Sequence, residues 1–171
     1  MTVGTAKAFV LDANVFIEAH RRYYGFDLCP GFWVCLDHHH AGARLLSIDR
    51  VRSELQGGDA LAQWVKHTAP DSLFVSTRDQ AVVEQYSLMM QWVQAQAQFR
   101  PEAKAEFAAV ADGWLAAFAK ARGNVLVTHE EHAPDARKRV PLPNVCEAFG
   151  VDYLDTFAML RALKASFSWM P

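Results

Sequence analysis

The sequence has few cysteines, no basic leader and no long apolar run. Cys29, Cys35 and Cys146 make an odd count without a CxxC pair, which argues against a disulfide framework and favours buried thiols in a reducing compartment. A zinc site that uses Cys29 and Cys35 stays open as an alternative. No stretch approaches the roughly 20 apolar residues of a membrane span. These absences predict a soluble cytoplasmic protein without a membrane partner.

An excess of one charge sign is also missing. Lys and Arg number 17 and Asp and Glu number 19, so the formal net charge is −2 at pH 7. This balance argues against a protein that coats nucleic acid through bulk charge, although a local basic face stays compatible with it. The length of 171 residues favours one domain, and no repeat or linker divides the chain. We therefore predict a single domain over residues 1–171.

The stretch at residues 9–17 (FVLDANVFI) is the most informative part of the sequence. An apolar run without alternation is typical of a strand buried on both faces of a parallel sheet. Asp12 then falls at the carboxyl end of that strand, where open α/β sheets bind ligands. Asn14 can turn the chain toward a helix through local hydrogen bonds. A strand followed by a plain helix cap is the alternative interpretation.

Further strands and helices alternate along the chain, which predicts an α/β fold with a mainly parallel sheet. Ser47 or Asp49 is expected to cap the helix that starts near residue 49, and Gly123 to end the helix before the strongest later strand. Residues 131–143, with their prolines and basic cluster, are expected to form a loop. Strands are predicted at 44–48, 73–75, 124–128 and 151–154, and helices at 31–41, from 49, 60–68, 79–99, 102–122 and 155–166.

Four acidic residues are expected at one edge of such a sheet: Asp12, Glu54, Asp112 and Glu130. Clustered carboxylates repel one another unless they are protonated or bridged by a cation. Oxygen ligands suit Mg²⁺ or Mn²⁺, and such an ion promotes attack of water on a phosphodiester. The sequence thus contains the parts of a metal-dependent phosphodiester hydrolase. Taken singly, Glu54 and Asp112 could be solvated helix residues and Glu130 a loop acid.

Other catalytic motifs are incomplete. Residues 129–132 (HEEH) do not match the helical H-E-x-x-H zinc motif. Asn14 stands where phosphatases of the haloacid dehalogenase type need a second aspartate. The chain has no glycine-rich phosphate loop and no nucleophile elbow. The three histidines at 38–40 are interpreted as a polar helix end, because adjacent helical residues face different directions.

The order of the acidic motifs resembles the PIN-domain superfamily of nucleases, which includes the VapC-type toxins. That family opens with a strand that ends in an aspartate followed closely by Asn or Thr, as residues 11–14 (LDAN) do. Its second acid is a helical glutamate, as in residues 51–55 (VRSEL), and its third starts an Asp-x-x-Leu/Ile-Ala helix, as in 112–116 (DGWLA). The family's strand ending in Thr-x-Asp matches residues 128–130 (THE), where glutamate is one methylene longer and could bind metal through water.

This resemblance covers essentially the whole chain and implies a three-layer α/β/α sandwich. The runs at residues 23–33 and 145–151 suggest a little-characterised bacterial branch of PIN-like proteins. The resemblance implies a ribonuclease that uses Mg²⁺ or Mn²⁺ and acts as the toxin of a bacterial type II toxin–antitoxin pair. Its implied partners are RNA and an antitoxin, and a homodimer is left open. The alternative is a catalytically weak or inactive PIN-like module that binds RNA or protein. The implied catalytic and metal residues are Asp12, Glu54, Asp112 and Glu130, supported by Asn14 and Thr128.

Positive charge is concentrated at two places that could hold an RNA backbone beside the acids. Aromatic side chains near them could stack on unpaired bases, and Tyr23, Tyr24 and Trp33 are the candidates. Solvated loop charges and core aromatics are the alternative. The resemblance favours single-stranded or structured RNA as the substrate. The candidate nucleic-acid-binding residues are Arg21, Arg22, Arg137, Lys138 and Arg139.

Overall fold

The computed structural model describes residues 6–171 and contains one parallel sheet flanked by helices. The strand order is β3-β2-β1-β4-β5, and every neighbouring pair is parallel. This arrangement confirms the predicted α/β class and the three-layer sandwich. The strands are β1 (Phe9–Leu11), β2 (Leu45–Ile48), β3 (Phe74–Val75), β4 (Val125–Val127) and β5 (Tyr153–Leu154).

The helices connect these strands and cover both faces of the sheet. Helix α1 continues directly into a π-helical turn at Ala19–Tyr23. Within residues 6–171, no helix combines the length and the apolar character needed to cross a bilayer. The helices are α1 (Ala13–Glu18), α2 (Pro30–Ala41), α3 (Asp49–Glu54), α4 (Ala60–His67), α5 (Gln80–Ala95), α6 (Pro101–Ala109), α7 (Asp112–Arg122), α8 (Leu142–Phe149) and α9 (Thr156–Ala162).

The strand order predicts a crevice between β1 and β4. The chain runs from β1 outward to β2 and β3, and then crosses to β4 and β5 on the other side. In open α/β sheets such a reversal leaves a crevice at the carboxyl ends of the two central strands. The register pairs Leu11 with Val127. The next residues on each strand, Asp12 and Thr128, therefore lie side by side at the crevice.

Helix α7 packs closely on α5 because its inner face is small. Ala116 and Ala117 are fully buried there. A Cβ atom at Gly113 would lie 3.0 Å from the Tyr86 ring and 3.2 Å from the Phe107 ring. The missing side chain thus allows the first turn of α7 to approach α5 and α6, and that turn begins with Asp112.

Two predicted helices differ from the observed ones because the chain becomes extended inside them. The predicted helix 102–122 is divided into α6 and α7, since Val110 is extended (φ −109°, ψ 175°) and the backbone N–H of Ala111 donates to Glu54 instead of a helical carbonyl. The predicted helix 79–99 ends at Ala95, after which Gln96 is extended. Asp112 therefore starts a helix rather than lying inside one.

The predictions for residues 142–143, for the end of the last helix and for the cap of α3 were also wrong. Residues 142–143 are not loop but start α8, where Pro143 is tolerated because the first turn needs no N–H donor there. The last helix ends at Ala162, and Lys164 takes a left-handed backbone (φ 57°). Neither predicted residue caps α3: Ser47 donates to the Leu11 carbonyl, and Asp49 accepts from Thr77.

Substituting Gly113 by alanine tests the close approach of α7. Alanine gains up to about 1 kcal/mol in helix propensity, but the fixed rings of Tyr86 and Phe107 make overpacking cost about 1–3 kcal/mol. We expect Gly113→Ala to lower the free energy of unfolding by about 1 kcal/mol net in urea titrations. Gly58→Ala is the matched control, because its Cβ meets no atom within 4 Å. A stabilised Gly113→Ala variant would show that α7 is not tightly held.

Candidate active site

Four acidic side chains from separate parts of the chain line one cavity of about 580 Å³, here called the acid cavity. Asp12 follows β1, Glu54 ends α3, Asp112 starts α7 and Glu130 lies just beyond β4. The cavity opens at the crevice between β1 and β4. The structure thus brings together all four acids that the sequence singled out. Glu106, Asn14 and Arg139 complete its polar lining.

Asp12 is the most deeply placed of the four, with only 2% of its surface exposed. Its backbone N–H donates to the Val127 carbonyl at 3.0 Å, and the Thr128 hydroxyl donates to its carboxylate at 2.9 Å. The pKa of Asp12 is raised to about 6: burial is the largest cause, the Thr128 hydrogen bond opposes it, and the charges of Glu130 and Glu54 add smaller upward contributions. Thr128 therefore holds this carboxylate in one orientation.

Asp112 is electrostatically the most strained of the four. Burial is the largest cause that raises its pKa to about 8, followed by the charges of Asp12, Glu130 and Glu54, while Arg139 opposes the shift. Without a cation, Asp112 is therefore mostly protonated at neutral pH. Added positive charge in the acid cavity would relieve this repulsion and favour the ionised form.

Glu54 joins two of the elements that build the acid cavity. One of its oxygens accepts the backbone N–H of Ala111 at 2.7 Å. Ala111 directly precedes α7, so this bond fixes the start of the helix that carries Asp112. Among the described residues, the other carboxylate oxygen of Glu54 accepts no hydrogen bond. That oxygen stays available for a ligand.

Both oxygens of Glu130 are already engaged. One accepts the backbone N–H of Leu142 at 2.9 Å, and the other forms an ion pair with the Arg139 guanidinium at 2.5 Å. Glu130 therefore anchors the loop at 131–141 and the start of α8 above the strand ends.

The donor set suits a hydrated Mg²⁺ or Mn²⁺ better than a preformed metal cage. Within residues 6–171, no three His, Cys, Asp or Glu side chains are grouped closely enough to hold an ion by themselves. Mg²⁺ typically binds through one or two carboxylates and keeps several waters. Asp12 and Asp112 offer such a pair, since the pKa of each is raised and the charge of Asp12 contributes to the shift at Asp112. These two carboxylates are the residues that would hold such an ion.

The predicted basic residues separate into two groups. Arg139 lines the acid cavity and also a second cavity that adjoins it and shares Asn14 and Glu130 with it. In this neighbouring cavity Arg22 lies beside Glu18 at 3.2 Å. Arg21 and the other two members of the loop cluster, Arg137 and Lys138, are exposed and line neither cavity. The structure thus places two of the five basic residues at the site.

The candidate aromatic residues also separate, and one contributor was missed. Tyr24 stacks on Phe32 with ring centroids 4.6 Å apart, and Trp33 is 4% exposed with its indole N–H donated to the Tyr24 carbonyl. Both belong to the core, so only Tyr23 among the three has a ring at the site. His129 lines the neighbouring cavity as well. Its position directly between Thr128 and Glu130, after a buried strand, was the sequence signal.

Comparisons with known proteins place this site within a family of unknown function. The family model described as "Domain of unknown function (DUF4411)" matches residues 9–167. The match covers all four acids and the loop that carries Arg139. Searches of curated proteins and of solved structures found no match to the chain.

The acid pair makes the stability of the metal-free protein depend on pH. Both aspartates have a higher pKa in the folded protein than the unfolded value near 3.8, so their ionisation destabilises the fold. The free energy of unfolding is therefore highest below about pH 4 and falls as pH rises toward 8. We expect the free energy of unfolding in chelator to fall over this interval. Asp112→Asn removes the titration of residue 112. The free energy of unfolding of this variant should therefore exceed that of wild type at pH 8 by on the order of a few kcal/mol.

Urea titrations of wild type and Asp112→Asn at several pH values measure this difference. Partial exposure of Asp112 reduces the gain, but the two stability curves should converge near pH 4 and separate as pH rises. Parallel curves across the whole interval would mean that Asp112 is not strained by its neighbours.

Proposed function

We propose that the chain, which belongs to the DUF4411 family, is a Mg²⁺- or Mn²⁺-dependent ribonuclease that hydrolyses RNA phosphodiester bonds. The observation that carries the proposal is that four carboxylates from separate elements line one cavity. This cavity lies between β1 and β4, at the switch point where the strand order of the sheet reverses. Two members of the cluster, Asp12 and Asp112, have a raised pKa inside a cavity, and such perturbed groups favour a functional site. The resemblance of the motif order to PIN-domain nucleases supports the same reaction.

Each side chain of the acid cavity has a distinct part in this proposal. Asp12 and Asp112 would hold the ion, and Thr128 orients Asp12. When bound, Mg²⁺ or Mn²⁺ supplies charge against the phosphate and acidifies a water molecule. Glu54 keeps one oxygen for a water. The guanidinium of Arg139 has five N–H donors, so it can remain paired with Glu130 and still donate to a backbone phosphate.

A second candidate function is RNA or protein binding without cleavage. It is favoured by the state of Glu130, whose two oxygens are engaged by Leu142 and Arg139. A PIN-like domain with a weakened fourth acid would still offer Arg139 and the acid cavity to a ligand. Metal-dependent cleavage separates the two candidates, because only the nuclease requires it.

The resemblance extends the proposal to a cytoplasmic toxin of a bacterial type II toxin–antitoxin pair. In this setting the antitoxin is a protein partner that blocks the acid cavity, and a homodimer is a further option for the toxin. Induced expression in a bacterial host is the corresponding assay. Wild type should arrest growth, whereas a variant without cleavage activity should be tolerated.

Asp12→Asn tests the nuclease proposal directly. We expect wild type to cleave single-stranded RNA with Mg²⁺ or Mn²⁺ and to stop when chelator is added. Asp12→Asn should reduce cleavage to background while the fold is retained, because it removes a buried charge without changing side-chain volume. Glu106→Gln is the matched control, since Glu106 lines the same cavity but does not contribute to the raised pKa of Asp12 or Asp112. Unchanged cleavage by Asp12→Asn would refute the proposal.

Arg139 and Lys138 provide a comparison between a cavity residue and a solvated neighbour. With cleavage blocked by Asp12→Asn, Arg139→Ala should lower the slope of log affinity against log salt by about 0.7 for each lost phosphate contact with a single strand. The loss should be similar for all RNA sequences, because phosphate contacts do not read bases. Lys138→Ala should change the slope less. Equal effects of both variants would place the phosphate contact on the outer loop rather than at the acid cavity.

A further inference from the structure

A second cavity of about 550 Å³ adjoins the acid cavity and has a different character. The two share Asn14, Glu130 and Arg139 as lining residues. We call the second one the aromatic cavity, because the rings of Tyr23 and His129 form part of its lining. Its position means that a strand whose phosphate lies at the acids can place a neighbouring nucleotide here.

Tyr23 presents a fixed and accessible ring to this cavity. The residue is 45% exposed, although its ring makes a T-shaped contact with Phe157, with centroids 5.2 Å apart and an interplanar angle of 85°. The ring of His129 lies 6.5 Å away, and its Nε2 atom is 2.9 Å from the Thr156 hydroxyl. With 45% of the residue exposed, part of the Tyr23 ring stays accessible for stacking on a flat ligand.

The backbone that carries Tyr23 is unusual as well. Helix α1 changes to a π-helical turn at Ala19–Tyr23, and this turn ends at the aromatic cavity. Single π-helical turns are rare and are often found at functional sites. The turn carries Arg22 to the same cavity, where it pairs with Glu18.

The charges around the aromatic cavity favour a neutral ligand over a phosphate. Arg22 and Arg139 oppose three carboxylates, those of Glu18, Glu130 and Glu131. Both arginines are already paired, with Glu18 and Glu130 respectively. A flat neutral ring that stacks on Tyr23 fits this lining, and the amide of Asn14 can donate to or accept from its edge.

We infer that the aromatic cavity binds one unpaired nucleobase of the RNA, stacked on Tyr23, while the adjoining phosphate lies at the acid cavity. The inference rests on the proposed function and adds a substrate requirement to it. A base held in a duplex cannot leave its stack to enter the cavity without unpairing. The protein therefore selects single-stranded segments such as loops and ends.

The test measures the affinity of a short single-stranded RNA that carries the fluorescent base 2-aminopurine, with Asp12→Asn and chelator present so that no cleavage occurs. Tyr23→Ala should weaken binding roughly 5- to 100-fold, as expected for loss of one stacked base. Tyr23→Phe should bind within about twofold of the parent because the ring is kept. The parent should quench 2-aminopurine fluorescence, and Tyr23→Ala should not.

Two controls make the readout specific. Trp169→Ala removes another exposed aromatic ring, 83% exposed and outside both cavities, and should leave affinity unchanged. A duplex of the same sequence should bind more weakly than the single strand and should not respond to Tyr23→Ala. Thermal unfolding of each variant checks that the fold is retained.

The failures of the inference and of the proposed function are distinguishable. If wild type cleaves RNA with metal but Tyr23→Ala binds like its parent, the base site is refuted and the nuclease stands. Equal losses in Tyr23→Ala and Tyr23→Phe would also refute it, because they would show that the hydroxyl and not the ring is needed. If wild type neither binds nor cleaves RNA, both proposals fail.

Discussion

The structure depends on the repulsion between carboxylates that the sheet forces together. The parallel ladder between β1 and β4 places Asp12 at the switch point, and the start of α7 adds Asp112 to the same cavity. Within residues 6–171 neither aspartate forms an ion pair, and burial together with the charges of neighbouring carboxylates raises the pKa of both. Much of the surrounding architecture serves to hold the two in place despite this cost.

Four contacts hold the acids in place. Thr128 orients Asp12, and Glu54 ties α3 to the residue before α7. Glu130 binds Leu142 and Arg139, so the loop after β4 lies over the cavity and brings one guanidinium to it. In the proposed nuclease, Glu130 would position the guanidinium that binds a phosphate, while Asp12 and Asp112 would hold the cation.

The sequence sufficed to predict the fold class and the proximity of the four acids at one edge of the sheet, because both follow from local patterns along the chain. The buried strand before Asp12, the helix end at Gly123 and the alternation of elements are readable from composition and spacing. The break at Val110, the start of α8 and the use of Glu130 were not, because each is decided by a contact with a distant segment. Tyr23 lines a cavity whereas Tyr24 and Trp33 pack in the core, and this difference likewise depends on contacts with α2 and α9.

Stoichiometric binding of Mn²⁺ tests the central claim, that the acid cavity is a cation site, most directly. Electron paramagnetic resonance reports free Mn²⁺ as the ion is titrated into the protein at fixed pH and salt. The account predicts one bound ion per chain in wild type and in Glu106→Gln, and loss of that ion in Asp112→Asn. Binding that is absent from wild type, or that persists unchanged in Asp112→Asn, would contradict it.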